Sequence, residues 1–165
     1  LGTATGLTVV NEYPADLYVR YNLNHSLAGA LVNKRQCAAV TIEAGARRFA
    51  DPTAVTAMVD AVLGVLTHLN MDVPAPTPTH VAVEGGPWRR QAGPRTQVAG
   101  WLDPMVPPGQ TFRRGELLAR VRNVDGRILE ALQAQRSGLV LSWVESTWVT
   151  AGSVVGTLAV QEGKA

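Results

Sequence analysis

The sequence is poor in several residue types, and each scarcity excludes a class of protein. It holds one cysteine, Cys37, which cannot form an internal disulfide. Only Lys34 and Lys164 among the fifteen basic residues are lysines, and the basic residues form no long run, so we expect no nucleic-acid partner. No apolar run reaches membrane-spanning length, and no signal peptide opens the chain. These absences predict a cytoplasmic protein with no membrane partner.

The composition that remains is that of a globular protein divided by one linker. Hydrophobic residues make up 46% of the chain and charged residues 17%, which excludes a disordered polypeptide. Three alternating prolines within Val73–Thr79 favour a semi-rigid linker over 74–79. We therefore expect two domains, 1–73 and 80–165. The chain opens on Leu1, in the middle of a pattern of strands and helices, so we also expect a fragment.

The first segment predicts an α/β layer. Leu7–Val10 is a short apolar run typical of a strand, and Cys37–Ile42 is an apolar, partly β-branched run that predicts a buried strand, with Cys37 as a buried structural thiol. Asp51 and Pro52 then place a cap and a first-turn proline before a helix that reaches about Asn70. Its apolar residues recur at helical spacing, at Val55, Met58, Val59, Val62, Leu66 and Leu69.

The second segment predicts an all-β domain. Two apolar runs, 116–122 and 127–132, flank Asp125-Gly126, a strong signal for a hairpin. A weak repeat at an offset of 37 residues indicates two similar halves, which predicts a small closed sandwich or barrel with an internal two-fold repeat. The repeat aligns Phe112, Gly115, Leu118 and Val121 with Val149, Gly152, Val155 and Leu158.

Two stretches together resemble a known family. The first is Val40-Thr-Ile-Glu-Ala-Gly45, followed by a helix, and the second is the run from Ala99 to Ala119 that contains Asp103-Pro-Met-Val-Pro-Pro-Gly-Gln110. They resemble the end of the catalytic domain and the C-terminal β-domain of the succinylglutamate desuccinylase/aspartoacylase family. The resemblance covers nearly all of 37–160.

The resemblance implies a fold similar to zinc carboxypeptidases and hydrolysis of the amide bond of an N-acyl amino acid. Family members hold zinc with two histidines and a glutamate, the first His and the Glu forming His-x-x-Glu, and a separate glutamate takes the proton from the zinc-bound water. Glu43 matches that general base. No His-x-x-Glu occurs here, and His25, His68 and His80 have no metal-ligand spacing. The zinc ligands are therefore expected outside this sequence, and this chain is expected to be inactive alone.

The residues themselves leave alternatives open for the site. A carboxylate at the end of a buried strand lies where open α/β sheets form ligand crevices, and partial burial would suit Glu43 to act as a base. It could equally cap the next turn or pair with Arg47 or Arg48. Arg47 is a candidate contact for a substrate carboxylate, although the pattern favours a solvated surface.

Two further functions compete with the hydrolase. The β-repeat resembles biotinyl and lipoyl carrier domains, but the turn between its halves, 133–138, has no lysine for cofactor attachment. A non-catalytic binding or assembly module is the other alternative. The domain also allows a homo-oligomer built through its β-structure. Of the tryptophans, Trp88 in a Gly-Gly-Pro loop is the candidate for exposure, and core packing is expected for the others.

Overall fold

The computed structural model describes residues 1–45, 50–77 and 80–162. Three α-helices lie in its first half: α1 (Ala15–Arg20), α2 (Leu27–Arg35) and α3 (Pro52–His68). Two short 3-10 helices, Gly2–Thr5 and Leu23–His25, accompany them. None of the described helices combines the length and the apolar character that crossing a membrane requires.

The strands form two sheets, antiparallel except where β1 pairs with β2 in parallel. The first sheet has the order β1-β2-β9-β7-β4, and the second has the order β6-β5-β3-β8. The strands are β1 (Val10–Asn11), β2 (Trp88–Ala92), β3 (Gly100–Pro104), β4 (Thr111–Phe112), β5 (Leu117–Arg122), β6 (Ile128–Gln133), β7 (Gly138–Trp143), β8 (Trp148–Val149) and β9 (Gly156–Gln161).

The chain divides into two compact units. Unit 1 comprises Leu1–Val9 and Pro14–Glu84, and unit 2 comprises Val10–Tyr13 and Gly85–Ala165. Unit 2 thus takes in the short β1 from the first part of the chain. Since compact units are not the same as independently folding domains, the boundaries expected at 73 and 80 stay a prediction.

The helix predicted after Asp51 is present as α3, but the face that it buries is not the predicted stripe of large apolar residues. Asp51 accepts a hydrogen bond from Thr53 N at 2.9 Å, which satisfies one of the free backbone amides of the first helical turn. Pro52 begins the helix, because it has no backbone N–H to leave unpaired at that position. The helix buries its small residues, Ala57 and Ala61, and contacts the first 3-10 helix. Its valines are exposed, Val55 by 44%, Val59 by 52% and Val62 by 48%.

Of the two strands predicted for the first segment, one is confirmed only at its end and the other is wrong. From Leu7 to Val10 only Val10 is in a strand, and Cys37–Ile42 forms neither strand nor helix. Cys37 is exposed, so the expectation of a buried thiol is wrong as well. An apolar run becomes a strand only where a neighbouring segment supplies hydrogen-bond partners, and within the described residues no segment pairs with Cys37–Ile42.

Unit 2 has a core built from buried side chains of both sheets. Trp143 packs against two clusters of buried side chains and donates a hydrogen bond from its indole nitrogen to Val106 O at 2.8 Å. One cluster contains Leu102, Ala119, Val121, Leu132, Val149 and Val155. The other contains Val106, Phe112, Leu118, Ala134, Val140 and Leu158.

The hairpin predicted at Asp125-Gly126 is confirmed. Gly126 has a φ of 81°, a conformation that glycine adopts without steric cost, and the turn joins the antiparallel strands β5 and β6. The exposure of the tryptophans is the reverse of what was expected. Trp88 is 4% exposed in β2, whereas Trp101 and Trp148 are 44% and 43% exposed and meet edge to face with ring centroids 5.4 Å apart.

Candidate active site

Glu43, the predicted general base, is exposed and lies in a segment without regular structure. It does not follow a strand, because the strand expected before it is absent. The carboxylate is therefore not placed at the edge of a sheet. The catalytic role itself is tested by nothing in this geometry and stays a prediction.

The backbone just after Glu43 is fixed against the first turn of α3. Gly45 has a φ of 79°, and a Cβ built on it would lie 2.8 Å from the Cβ of Ala54. Only glycine combines this backbone conformation with so close an approach. Glu43 is thus two residues from a close contact with the start of a 17-residue helix, the end of a helix that attracts negative charge.

Arg47, the candidate substrate contact, lies outside the described residues, as does Arg48. The structure therefore neither brings Arg47 towards Glu43 nor separates them. The predicted contact with a substrate carboxylate stays a prediction.

The three histidines lie in separate places. His25 ends a 3-10 helix, His68 ends α3, and His80 follows the proline-rich stretch. Among residues 1–45, 50–77 and 80–162, no group of three or more His, Cys, Asp or Glu side chains is placed to hold a metal ion. The described residues thus do not fit the ligand set that the family resemblance implies, and zinc would have to be bound by other residues.

One small cavity in unit 1 brings together two titratable side chains that sequence reasoning did not connect. Asp60 of α3 and His80 line a cavity of about 60 Å³, with Ala57 and Pro76 among its other walls. The Nε2 atom of His80 is buried and has no hydrogen-bond partner among the residues that the structure describes. The sequence carries no signal for this pairing, because the two residues are far apart in the chain and form no motif. Glu43 is not part of this cavity.

The geometry defines a class of fold: helices followed by a β-unit of two facing sheets. Solved structures share it. The crystal structure of a succinylglutamate desuccinylase from Silicibacter sp. TM1040 matches 97% of this chain with a TM-score of 0.68 and 17% identity, over 47% of its own length. A succinylglutamate desuccinylase/aspartoacylase from Rhodobacter sphaeroides matches 93% with a TM-score of 0.67 and 19% identity, over 53% of its length.

A third structure extends the likeness to another named protein. The product-bound ectoine utilization protein EutE (DoeB) from Ruegeria pomeroyi matches 81% of this chain, with a TM-score of 0.62 and 21% identity, over 41% of its own length. No protein-family model matches the sequence, and the search of curated proteins found no match.

These likenesses show a shared fold. The structure resembles members of the succinylglutamate desuccinylase/aspartoacylase family, as the motifs around Glu43 and Asp103 predicted, and that resemblance is confirmed at the level of fold. The chain spans about half the length of these solved structures.

Proposed function

We propose that this chain is part of a zinc-dependent deacylase that hydrolyses the amide bond of an N-acyl amino acid or a related small substrate. The observation that carries the proposal is the likeness of fold to a succinylglutamate desuccinylase over 97% of the chain. A fold hosts more than one function, so the Glu43-Ala-Gly45 motif in front of α3 is the second support.

Glu43 is the proposed general base. In amide hydrolysis a water oxygen attacks the carbonyl carbon, and a carboxylate that accepts the water proton favours this step. One feature of the described residues supports the choice: Gly45, two residues after Glu43, lies close to Ala54 in the first turn of α3. The side chain of Glu43 is exposed, so the partial burial expected of the base is not found. Arg47 is proposed as the group that binds a carboxylate of the substrate.

Zinc is proposed for the whole enzyme, with ligands that the described residues do not provide. The metal would polarise the scissile carbonyl and lower the pKa of a bound water. Because the described part of the chain has no three-ligand cluster, we expect the 165-residue chain to bind zinc weakly and to be inactive alone.

We also propose that unit 2 is a tandem repeat with approximate two-fold symmetry. Leu102 lies opposite Val121 in the second sheet, and Val140 lies opposite Leu158 in the first. Val140 comes 38 residues after Leu102, and Leu158 comes 37 residues after Val121. All four side chains are buried, so the two sheets use equivalent pairs in their core.

The close approaches in the two sheets repeat at the same spacing. A Cβ on Gly100 would lie 2.4 Å from Arg122 O, and one on Gly138 would lie 2.3 Å from Ala159 O. Gly138 comes 38 residues after Gly100, and Ala159 comes 37 residues after Arg122. The turn glycines Gly115 and Gly152 both have a φ of 84°. The repeat therefore matches β2 with β6, β9 with β5, β7 with β3 and β4 with β8.

The carrier alternative gains no support from this fold. The connection from β6 to β7 contains no lysine, and Lys34 lies in the last turn of α2 rather than on a hairpin. A non-catalytic assembly module is the alternative that the experiment below separates from the hydrolase.

The test is hydrolysis of N-succinylglutamate and other N-acyl amino acids by the full-length protein that contains this chain. We expect release of the free amino acid, loss of activity on chelation and recovery on adding zinc. The isolated 165-residue chain serves as the control and should show no hydrolysis. Unchanged turnover in chelator would contradict zinc dependence, and a stoichiometric, tightly bound zinc in the isolated chain would contradict the expected ligand placement.

A further inference from the structure

We propose that unit 1 carries an apolar docking face, formed by α3 and the segment Cys37–Ile42, which a further part of the same polypeptide covers. That part lies against the valines of α3 and places a β-strand beside Cys37–Ile42. The docking face needs this chain to be part of a longer enzyme, as proposed above, but it needs neither zinc nor hydrolysis. The two proposals can therefore fail separately.

The small residues of α3 lie against unit 1, and its large apolar residues face outward. Ala57 and Ala61 are buried, and a Cβ built on Gly64 would lie 2.3 Å from Ala4 O of the first 3-10 helix. These three positions recur at the spacing of one helix face. The valines, Val55, Val59 and Val62, recur at the same spacing two residues earlier and are about half exposed.

The valine side of α3 carries no charged residue. The ionisable side chains of this 17-residue helix are Asp60 and His68. Asp60 lines the small cavity together with Ala57, on the covered side, and His68 ends the helix. A helix face that stays in water ordinarily carries charged and polar side chains. The sequence of α3 is thus that of a helix covered on its valine side as well.

The segment ahead of α3 is apolar and uncovered too. Cys37–Ile42 ends in the β-branched run Val40-Thr-Ile42, which favours a strand, and Val40 is 42% exposed. Within the described residues the segment joins neither sheet. Gly45 lies close to Ala54 in the first turn of α3, so the end of the segment adjoins the helix. An extended, unpaired backbone of this composition is suited to strand addition.

The occupant is a further part of the same polypeptide, because the shared fold needs more chain than is present here. This chain spans about half the length of the solved structures with the same fold. Unit 2 buries its large apolar side chains within this chain, so the apolar surface left for the additional polypeptide is that of unit 1. A strand beside Cys37–Ile42 would also set Glu43 at the end of a paired strand, where α/β sheets form ligand crevices.

Hydrogen exchange of the full-length protein that contains this chain tests the added strand. We expect at least alternate amides of residues 38–42 to exchange about 100-fold or more slowly than in an unstructured peptide of the same sequence, because ladder hydrogen bonds protect them. Exchange at the rate of the peptide would overturn the proposal. Protection that appears only as the protein concentration rises would also overturn it, since it would assign the face to a second copy.

The Val59→Lys variant of the full-length protein tests the helix. The lysine would be buried against the covering segment, so we expect the midpoint of thermal unfolding to fall by about 5 °C or more. Val124→Lys is the matched control. Val124 is 77% exposed in the turn between β5 and β6, and the same exchange there should shift the midpoint by no more than about 1 °C.

A valine side that stays in water gives the opposite result. Lysine favours a helix more than valine does, so Val59→Lys would then leave the midpoint unchanged or raise it, and either outcome would contradict the docking face. If the variant does not fold, hydrogen exchange of the unaltered protein remains the deciding measurement.

Discussion

The two compact units bury very different side chains. In unit 2, Leu118, Val140 and Val155 are at most 1% exposed, and they interdigitate between two sheets. Among the described residues of unit 1 the buried hydrophobic side chains are the small Ala57 and Ala61, while Val59 of α3 and Leu69, which caps its C-terminus, are about half exposed. Both units have apolar residues at regular spacing, but among the described residues the large side chains that are fully buried lie in unit 2.

This difference shows that periodicity and burial are separate properties. In unit 2 the inward side chains of the two sheets pack in shared clusters, so they are buried. The valine stripe of α3 has helical spacing but no opposing surface among the described residues. Stability of unit 2 should therefore depend on its large apolar side chains, and stability of unit 1 on local contacts such as helix caps.

Leu118→Ala should have the largest effect on stability. It removes a side chain that is 1% exposed between the two sheets, so both transfer free energy and a cavity oppose folding, at about 2–5 kcal/mol. Leu69→Ala is the same exchange in unit 1 at 53% exposure, and we expect a change within about 0.5 kcal/mol. Urea unfolding followed by far-UV circular dichroism measures both, because this signal reports the helices of unit 1 as well as the strands of unit 2. Equal losses would abolish the contrast between the units.

The second-largest loss of stability is expected from Thr96→Val. Thr96 is fully buried, donates to Glu130 Oε2 at 2.7 Å and has the same shape as valine. The exchange leaves a carboxylate oxygen with one partner fewer, which costs about 1–3 kcal/mol. Thr111→Val on the exposed side of β4 is the control and should be close to neutral. A Thr96→Val protein as stable as the parent in thermal unfolding would show that this buried polar contact contributes nothing to unit 2.

Asp51→Ala tests the local stability of unit 1. Asp51 caps α3 through Thr53 N, and loss of such a cap typically costs about 1 kcal/mol. Amides in the first turn of α3 should exchange faster with solvent, while those of β7 and β9 should not change. Asp72→Ala removes an exposed aspartate from outside the helices and should leave exchange unaltered. Faster exchange across unit 2 in Asp51→Ala would contradict this account, because it would show that the cap of α3 also stabilises unit 2.

The smallest effect is expected from the ion pair between Arg122 and Asp103. The guanidinium and carboxylate are 2.7 Å apart, but their side chains are 35% and 41% exposed. Solvent screening limits such pairs to about 0.2–1 kcal/mol. A double-mutant cycle with Arg122→Gln and Asp103→Asn should give a coupling in this range that decreases with salt. A coupling well above it would mean that unit 2 depends on surface charge as well as on its core.

Local chemistry made part of the fold predictable. Asp51 and Pro52 placed the start of α3, and Asp125-Gly126 placed the β5–β6 hairpin, because caps and tight turns depend on residues adjacent in the sequence. Cys37–Ile42 could not be predicted this way, since a strand depends on a partner that its own residues do not specify. For the same reason Trp88 is buried and Trp101 is exposed, the reverse of what their flanking residues suggested.

The candidate site was predictable only in part. The motif around Glu43 pointed to a family whose fold the structure shares, but not to the contact of Gly45 with Ala54. That contact depends on the tertiary structure, which brings Gly45 close to the first turn of α3. The cavity between Asp60 and His80 had no sequence signal, because its walls come from residues distant in the chain. Arg47 falls outside the described residues, so its proposed role rests on its position in the sequence alone.

The most direct test of the central claim is the turnover number of the Glu43→Gln variant of the full-length protein. If Glu43 is the general base, kcat for an N-acyl amino acid should decrease by about 10²–10⁴-fold, with unfolding unchanged because the side chain is exposed. Glu84→Gln, which neutralises another exposed glutamate of unit 1, should keep normal activity. Near-normal turnover in Glu43→Gln would contradict the account.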